Sequence, residues 1–324
     1  MFSQRGFIGV SVLVASSTSR SFANLFEPIK HPIPARTYQD ASGKKFGIAA
    51  NGPVWKEPLK DKVLIVDIDT RAPKGPNGLW NHDRMEWESI KLKRKGSAAS
   101  ASFMNHFLYA QIHGYDYRFF NAVDLKDMHN TWIKPHALAR FLKSYRFVVL
   151  IDADATIQHL EVPLEWLFNR WGVTPRTSIA MPVDVAQVVN GNKHVSEDSK
   201  GKMVLNTGFI VAQASPLTFD MMAAWAECPQ ETRYKGCANW KEKWSHEQRI
   251  PCDDAMGYPG RANHPSLLTN CTGQFIRHHT LDKPRTKQSA EIAIVQGLTD
   301  IIQLGTPTRQ RQILDHRGGC LTSR

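Results

Sequence analysis

A run of five apolar residues that ends in two aspartates constrains this chain more than any other stretch. Residues 147–151 read FVVLI, and Asp152 and Asp154 follow with one alanine between them. A short, uninterrupted apolar run is typical of a strand that is buried on both faces, as in a parallel sheet covered by helices. Two carboxylates at the end of such a strand repel each other and lose hydration, so the sequence predicts a cation beside them.

Strand and helix patterns alternate on both sides of this run. Residues 62–69 and 115–122 are predicted to be strands, and residues 97–113 are predicted to be a helix that ends at Gly114. The alternation continues through residues 130–228. It predicts an α/β fold with a mixed, mainly parallel sheet flanked by helices.

Composition narrows the class of protein. The chain has 324 residues, of which 42% are hydrophobic, and a formal net charge of +11 at pH 7. A chain of this kind can bury a large core, which excludes disorder as its main state. The basic balance favours an anionic partner such as a phosphorylated substrate, a nucleic acid or an anionic membrane surface. We expect no nucleic-acid partner, because the sequence has no recognisable nucleic-acid recognition element.

The chain divides into four predicted segments. Residues 1–20 lack acids and have an apolar centre shorter than the roughly 20 residues that span a bilayer, which predicts a signal peptide or short membrane anchor. Residues 21–60 are rich in Pro, Gly and polar residues and are predicted to be a stem or linker, residues 61–300 the α/β domain, and residues 301–324 a basic tail. We expect the secretory pathway, with mitochondrial or cytoplasmic location as alternatives, and membrane association through the N-terminus.

The cysteines fit a secreted protein. All five lie in the C-terminal third without a CxxC pair, so a zinc site is not expected, and two disulfides with one free thiol can form. Their pairing stays open. They are Cys228, Cys237, Cys252, Cys271 and Cys320.

The two aspartates have the spacing of metal ligands. Side chains two residues apart along a strand face the same way, so Asp152 and Asp154 can converge on one point. Ligands of open α/β sheets bind beyond the carboxyl ends of the strands. A divalent metal held by two carboxylates keeps free positions for water and phosphate oxygens, as Mg²⁺ and Mn²⁺ do in nucleotide sites. The alternative is an Asp-rich turn without a ligand.

Several segments together resemble a known enzyme group. The segments LIDADATI, VLNTGFIVAQAS, WSHEQ and FIRHHTLDK resemble the GT-A-fold nucleotide-sugar glycosyltransferases, most closely glycosyltransferase family 34, the galactosyl-, mannosyl- and xylosyltransferases. The upstream segments YAQIHGYDYRFF and WIKPHALARFLKSYRFVVLIDAD match in order and spacing, so the resemblance covers residues 62–283. It implies a GT-A (Rossmann-like) fold in the Golgi membrane or lumen. It also implies that Mn²⁺, or Mg²⁺, serves as cofactor for retaining transfer of a hexose or pentose from a UDP- or GDP-sugar donor to a glycan or glycoprotein acceptor.

The resemblance assigns metal ligands residue by residue. The first and last acids of the DxD motif bind metal and donor diphosphate in that family, which implies these roles for Asp152 and Asp154. A histidine near the C-terminus is a further metal ligand, and the candidates here are His278 and His279. At most one of the two binds, because neighbouring residues of a strand point to opposite faces.

Other candidates surround the donor sugar and its phosphates. Asn206 can hydrogen-bond sugar hydroxyls, and Gly208 lets a ligand approach the backbone, with a bulge as the alternative. The resemblance implies that Glu247 and Gln248 lie beside the anomeric carbon, and Asp184 is a lesser candidate for donor-sugar hydroxyls. Surface positions are the alternative for Glu247 and Gln248.

Basic residues near the motifs are candidates for phosphate contacts. Lys134, and Lys283 or Arg277, can add positive charge around a diphosphate, and a solvated surface position is the alternative for each.

Two other functions fit parts of the pattern. The DxDxT stretch from Asp152 also matches haloacid dehalogenase-type phosphatases, in which the first acid is a nucleophile. That motif normally opens its domain, whereas here an α/β pattern beginning at Lys62 precedes it. The other alternative is a non-catalytic sugar-nucleotide-binding protein on the same fold.

Overall fold

The computed structural model describes residues 10–13, 17–70, 78–80, 85–87, 97–182, 205–242, 256–257, 274–279 and 282–313. Its strands are β1 Val10–Leu13, β2 Thr37–Gln39, β3 Lys45–Gly47, β4 Val63–Asp69, β5 Asp116–Asn121, β6 Phe147–Ile151, β7 Ala155–Ile157, β8 Ile179–Ala180, β9 Phe209–Gln213, β10 Met256–Gly257 and β11 Ile276–His278. Its α-helices are α1 Ser17–Phe26, α2 Ser97–His113, α3 Ile133–Phe141, α4 Leu164–Trp171, α5 Pro216–Glu227 and α6 Arg285–Ile313.

A six-stranded sheet forms the centre of the fold, in the order β1-β5-β4-β6-β9-β8. Strands β5, β4 and β6 are parallel, while β1, β9 and β8 join the sheet antiparallel to their neighbours. The predicted α/β class, with a mixed sheet flanked by helices, is confirmed. Because β5, β4 and β6 are parallel, their carboxyl ends meet at one edge, and the aspartates after β6 lie at that edge.

The two faces of the sheet pack into separate cores because side chains alternate along each strand. On β6, Phe147 and Val149 pack into the cluster that also contains α2, whereas Val148 and Leu150 pack into the cluster with α3 and α5. All five residues of β6 are buried, as the uninterrupted apolar run predicts. The strand therefore delivers its terminal aspartates from a position fixed by packing on both sides.

The segment interpreted as a stem packs onto the domain instead. Tyr38 and Trp55 are buried in the main core cluster, and the Trp55 indole donates to the Val173 carbonyl at 2.7 Å. Periodicity missed this packing because isolated aromatic residues of irregular segments make the contacts. At the other end, α6 continues through the predicted boundary at residue 300 to Ile313.

A helix that could cross a membrane is not found within the described ranges.

A second, three-stranded sheet of order β10-β11-β7 lies next to the aspartates. Strand β7 begins at Ala155, directly after them, and pairs antiparallel with β11, so that Ala155 is opposite His278 and Thr156 is opposite Arg277. One face of this small sheet contacts α6, where the hydroxyls of Thr156 and Ser289 lie 2.9 Å apart.

A disulfide joins Cys228, after α5, to Cys237. The residues just after this loop accept two hydrogen bonds from the segment before α3. The Trp132 indole donates to the Trp240 carbonyl, and the His129 N–H donates to the Lys241 carbonyl. The other three cysteines lie outside the described residues. The disulfide therefore supports the segment that precedes Lys134.

The stability of the fold should depend on His113 in weak acid. Its Nε2 donates to the Leu160 carbonyl at 2.8 Å, and burial lowers its pKa to about 3. Because the folded pKa lies below the unfolded value of about 6.5, the unfolded chain takes up the proton first and the protein loses stability as pH falls. His113 is half-buried, which moderates the effect, so we expect a loss of about 1 to 2 kcal/mol between pH 7 and pH 5.

Urea unfolding of wild type and His113→Gln at both pH values tests this expectation. Glutamine keeps an N–H donor for Leu160 but does not titrate, so the variant should lose less stability on acidification. Equal losses in the two proteins would contradict the role of His113.

Candidate metal centre

The two aspartates lie in a tight turn between the large and the small sheet. The Asp152 N–H donates to the Gly208 carbonyl at 2.8 Å, which extends the pairing of β6 with β9 by one step. The Ala155 N–H donates back to the Asp152 carbonyl at 2.9 Å and closes the turn. Asp154 is therefore fixed at the junction between the two sheets.

Strand β11 places a histidine beside this turn. His278 Nε2 lies 3.0 Å from Asp154 Oδ1, and one ligand atom each of Asp152, Asp154 and His278 lie within 4.8 Å of one another. Two carboxylates and one imidazole suit Mn²⁺ and related divalent ions, and three protein ligands leave coordination positions open for a substrate. These three residues therefore fit a divalent metal.

Asp154 is held in the ionised form that a metal ligand requires. Burial alone would raise the pKa of its carboxyl group, but His278 and Lys283 more than offset burial and hold that pKa well below its usual range. Lys283 Nζ lies 3.0 Å from Asp154 Oδ2 although its side chain is 64% exposed. The carboxylate is thus charged at neutral pH, and its lysine partner can leave it for another anion.

Asp152 has a buried lysine partner. Lys134, in the first turn of α3, is 6% exposed, and its Nζ lies 3.0 Å from Asp152 Oδ1. The same ammonium donates to the hydroxyl and the carbonyl of Thr207, at 3.0 and 3.1 Å. Three oxygens therefore fix this positive charge beside the aspartate, so the solvated alternative does not apply to Lys134.

Gly208 makes room for the histidine. A Cβ added to Gly208 would lie 2.6 Å from His278 Cε1 and 2.8 Å from Asn206 Oδ1, closer than real side chains approach. The Asn206 side chain accepts a hydrogen bond from the Gly208 N–H at 2.8 Å and so shapes this turn. The absence of a side chain at Gly208 thus allows the His278 ring to approach the backbone closely.

The structure places the other candidates as follows. His279 lies just beyond β11, where its N–H donates to the Asp154 carbonyl at 2.7 Å, but it does not belong to the three-residue group. Burial, and then the neighbouring His278, lower the pKa of His279 to about 4, so its ring is neutral at pH 7. The remaining three candidates lie outside the described residues: Asp184, Glu247 and Gln248.

A buried polar chain beneath the aspartate turn was not predicted from the sequence. The Ser102 hydroxyl donates to the Ala155 carbonyl at 2.5 Å, and His106 Nε2 lies 3.0 Å from the same oxygen. His106 Nδ1 lies 2.8 Å from Asp67 Oδ1, and the Tyr117 hydroxyl donates to the other oxygen of Asp67. In the sequence, this polar chain is indicated only by Asp67 inside the apolar β4 pattern and by the i, i+4 spacing of Ser102 and His106 on α2. This chain fixes the carbonyl that follows Asp154.

Among the comparisons with known proteins, the similarity to solved structures is distant. No protein-family model matches the sequence, and no curated protein matches it. Among solved structures, the chain is similar to the crystal structure of a glycosyltransferase involved in the glycosylation of the major capsid of PBCV-1. The TM-score is 0.43 and the identity 10%, over 71% of this chain and 98% of that chain. A similarity at this level carries no information about activity, so the functional argument depends on the site itself.

Proposed function

We propose that this protein is a metal-dependent, retaining glycosyltransferase of the GT-A type. It would transfer a hexose or pentose from a UDP- or GDP-sugar to a glycan or glycoprotein acceptor. The observation that carries the proposal is the convergence of Asp152, Asp154 and His278 at the edge where the parallel strands end, with one lysine on each aspartate. The resemblance of the surrounding segments to family 34 supports the choice of donor class.

The three residues would hold Mn²⁺, with Mg²⁺ as the alternative ion. A bound divalent ion supplies electrostatic stabilisation for the diphosphate that leaves when the anomeric bond breaks. Lys134 is fixed by Thr207 and keeps Asp152 oriented toward the same point. The Lys283 side chain is 64% exposed, so its ammonium can leave Asp154 and pair with a phosphate oxygen instead.

Charge balance favours this arrangement. Without ligands, the two carboxylates are balanced by the two lysines beside them. A divalent cation together with a doubly charged sugar nucleotide adds no net charge to the site. Metal and donor can therefore bind together without leaving an uncompensated charge in a partly buried position.

Residues beyond the metal ligands have proposed roles from the family resemblance. Glu247 and Gln248 would lie beside the anomeric carbon and stabilise its positive character, and Asn206 would contribute a hydrogen bond to the donor sugar. Asp184 would bind donor-sugar hydroxyls, and Gly208 would form part of the donor site through the backbone.

A disulfide supports an oxidising compartment. The bond between Cys228 and Cys237 is of the kind that persists in the secretory pathway. We accordingly propose a Golgi location, with membrane association through residues 1–20.

Donor turnover with manganese tests the proposed function. Purified protein is incubated with Mn²⁺ and a panel of UDP- and GDP-sugars, and release of the nucleoside diphosphate is measured. We expect release with at least one donor, its loss in EDTA and its recovery when Mn²⁺ is restored. Thermal shift on the same panel shows binding independently of turnover.

Two other results would replace the proposal. Phosphate release from a phosphomonoester through an aspartyl-phosphate at Asp152 would identify a dehalogenase-type phosphatase. Metal-dependent binding of a sugar nucleotide, without turnover in the presence of a broad set of acceptors, would identify a non-catalytic binding protein.

A further inference from the structure

Strand β11 presents a second basic residue to the face of the small sheet that lies away from the metal centre. Burial alternates along the strand, with Ile276 and His278 buried and Arg277 partly exposed. Since successive side chains of a strand point to opposite faces, Arg277 points away from His278 and Asp154. This separates Arg277 from the proposed diphosphate site, in which it was a candidate.

The first turns of α6 cover the face to which Arg277 points. Arg277 is the cross-strand partner of Thr156, and paired residues share a face. The Thr156 hydroxyl contacts Ser289 of α6 at 2.9 Å. Thr286 lies one turn before Ser289 on the same side of the helix. The N-terminus of α6 and Arg277 therefore lie on one side of the small sheet.

Three buried polar atoms in this region have no hydrogen-bond partner among the described residues. They are Arg277 Nε, Thr286 Oγ1 and His279 Nε2. Thr286 is fully buried and His279 is 3% exposed. Native proteins rarely leave such groups unpaired, and each one without a partner costs about 1 to 3 kcal/mol. Three in one region indicate a ligand that accepts hydrogen bonds.

The charges of the region point to an anion. Near the start of α6, Lys283 pairs with Asp154, Arg285 with Asp282 at 3.0 Å, and Lys287 with Glu291 at 3.6 Å. Arg277 has no carboxylate partner in the part of the chain that the structure describes. A partly buried cation without a counterion at a helix N-terminus is the arrangement that binds phosphate and sulfate.

We propose that Arg277, together with Thr286 of α6, forms an oxyanion site for phosphate or sulfate, separate from the metal centre. The guanidinium supplies the charge, and the Thr286 hydroxyl supplies a further donor. The His279 ring is a further donor when its Nε2 carries a hydrogen. The proposal does not depend on the activity proposed above, because no residue of the metal-binding group takes part.

Binding of inorganic phosphate and sulfate in EDTA, measured by calorimetry and thermal shift on the full chain, tests the proposal. EDTA removes metal-dependent binding at the aspartates. We expect Arg277→Gln to weaken binding at least about 30-fold, the effect of truncating one partner of a buried charge pair. Thr286→Val, which removes only the hydroxyl, should weaken it about 3-fold to 10-fold. Arg277→Lys keeps the charge and should bind better than Arg277→Gln.

Two matched controls locate the anion. Arg233→Gln removes an exposed cation that pairs with Asp220 of α5 and should bind phosphate like wild type. Lys283→Gln removes the cation that faces Asp154 and should keep the binding that Arg277 provides. If Lys283→Gln loses binding and Arg277→Gln keeps it, the anion occupies the metal side and the proposal is wrong. Absence of binding to wild type at tens of millimolar phosphate would also overturn it.

Stability distinguishes a ligand-binding arginine from a structural one. In anion-free buffer, Arg277→Gln should unfold at the same temperature as wild type or higher, because an unpaired, partly buried charge is removed. Only the stabilisation by added phosphate should be lost. Equal destabilisation with and without phosphate would show a structural role and contradict the proposal.

The source of the anion is decided by the same measurement with a sugar phosphate or sugar sulfate ester. Tighter binding of the ester than of the free ion would assign the site to an anionic group on an acceptor glycan. Equal or weaker binding of the ester would assign it to the free ion.

Discussion

Replacing Asp154 with asparagine is expected to lower metal-dependent release of nucleoside diphosphate from the donor by at least about 1,000-fold, since the metal stabilises the leaving group by several kcal/mol. Asp154 is the ligand that contacts both His278 and Lys283, so the substitution removes the negative charge that organises the group. Manganese affinity, measured by calorimetry, should fall by at least about 100-fold. Asp152→Asn should behave in the same way.

Loss of activity must be separated from loss of fold. Asp61→Asn changes an exposed aspartate far along the chain from the motif and serves as the matched control, with activity and manganese affinity like those of wild type. Circular dichroism of each variant checks that the structure persists. A folded Asp154→Asn protein with wild-type manganese affinity and turnover would disprove the metal centre.

Gly208→Ala should weaken metal binding by a steric route. The new Cβ would lie 2.6 Å from the ring of His278, which is buried and has little room to move. We expect a loss of about 1 to 3 kcal/mol in the free energy of unfolding, the usual effect of overpacking, and a fall of about 10-fold to 100-fold in manganese affinity as His278 is displaced. Urea unfolding and calorimetry measure the two effects.

Gly47→Ala is the matched control for this substitution. Gly47 lies at the end of β3, and a Cβ there would meet only the Arg36 carbonyl at 3.9 Å, an ordinary contact. Its stability and manganese affinity should stay close to wild type. If Gly208→Ala keeps full manganese affinity, His278 is not a metal ligand.

Asp154→Asn and Gly208→Ala test residues that are far apart in the sequence. The aspartate turn, the Asn206–Gly208 turn and His278 come from three separate segments, which meet because β6 pairs with β9 and β7 pairs with β11. Neither pairing can be read from periodicity. The register of β7 and β11 decides that His278 is the histidine in the group with the two aspartates.

Local chemistry explains what could be predicted. The burial of the run FVVLI can be predicted from its composition, because a strand covered on both faces needs apolar residues at every position. The N-cap of α5 at Ser215 and the left-handed Gly114 after α2 are likewise properties of one or two residues. Such features are specified over short stretches of chain, so the sequence predicts them.

Long-range contacts explain what could not be predicted. The packing of the segment at residues 21–60 depends on isolated aromatic side chains entering a core built elsewhere. The burial of Lys134 depends on Thr207, which is far along the chain. Neither leaves a periodic signal, because the partner rather than the neighbouring sequence decides the contact.

The sequence by itself determined the α/β class, the buried strand and the two acids at its end, since these follow from residue type and local spacing. Only the tertiary structure decided that His278 joins the aspartates, that Gly208 makes room for it and that Arg277 faces the start of α6. The physical reason is that strand pairing and register are set by the packing of the whole domain, and a shift of one residue would exchange the faces of every side chain along the strand.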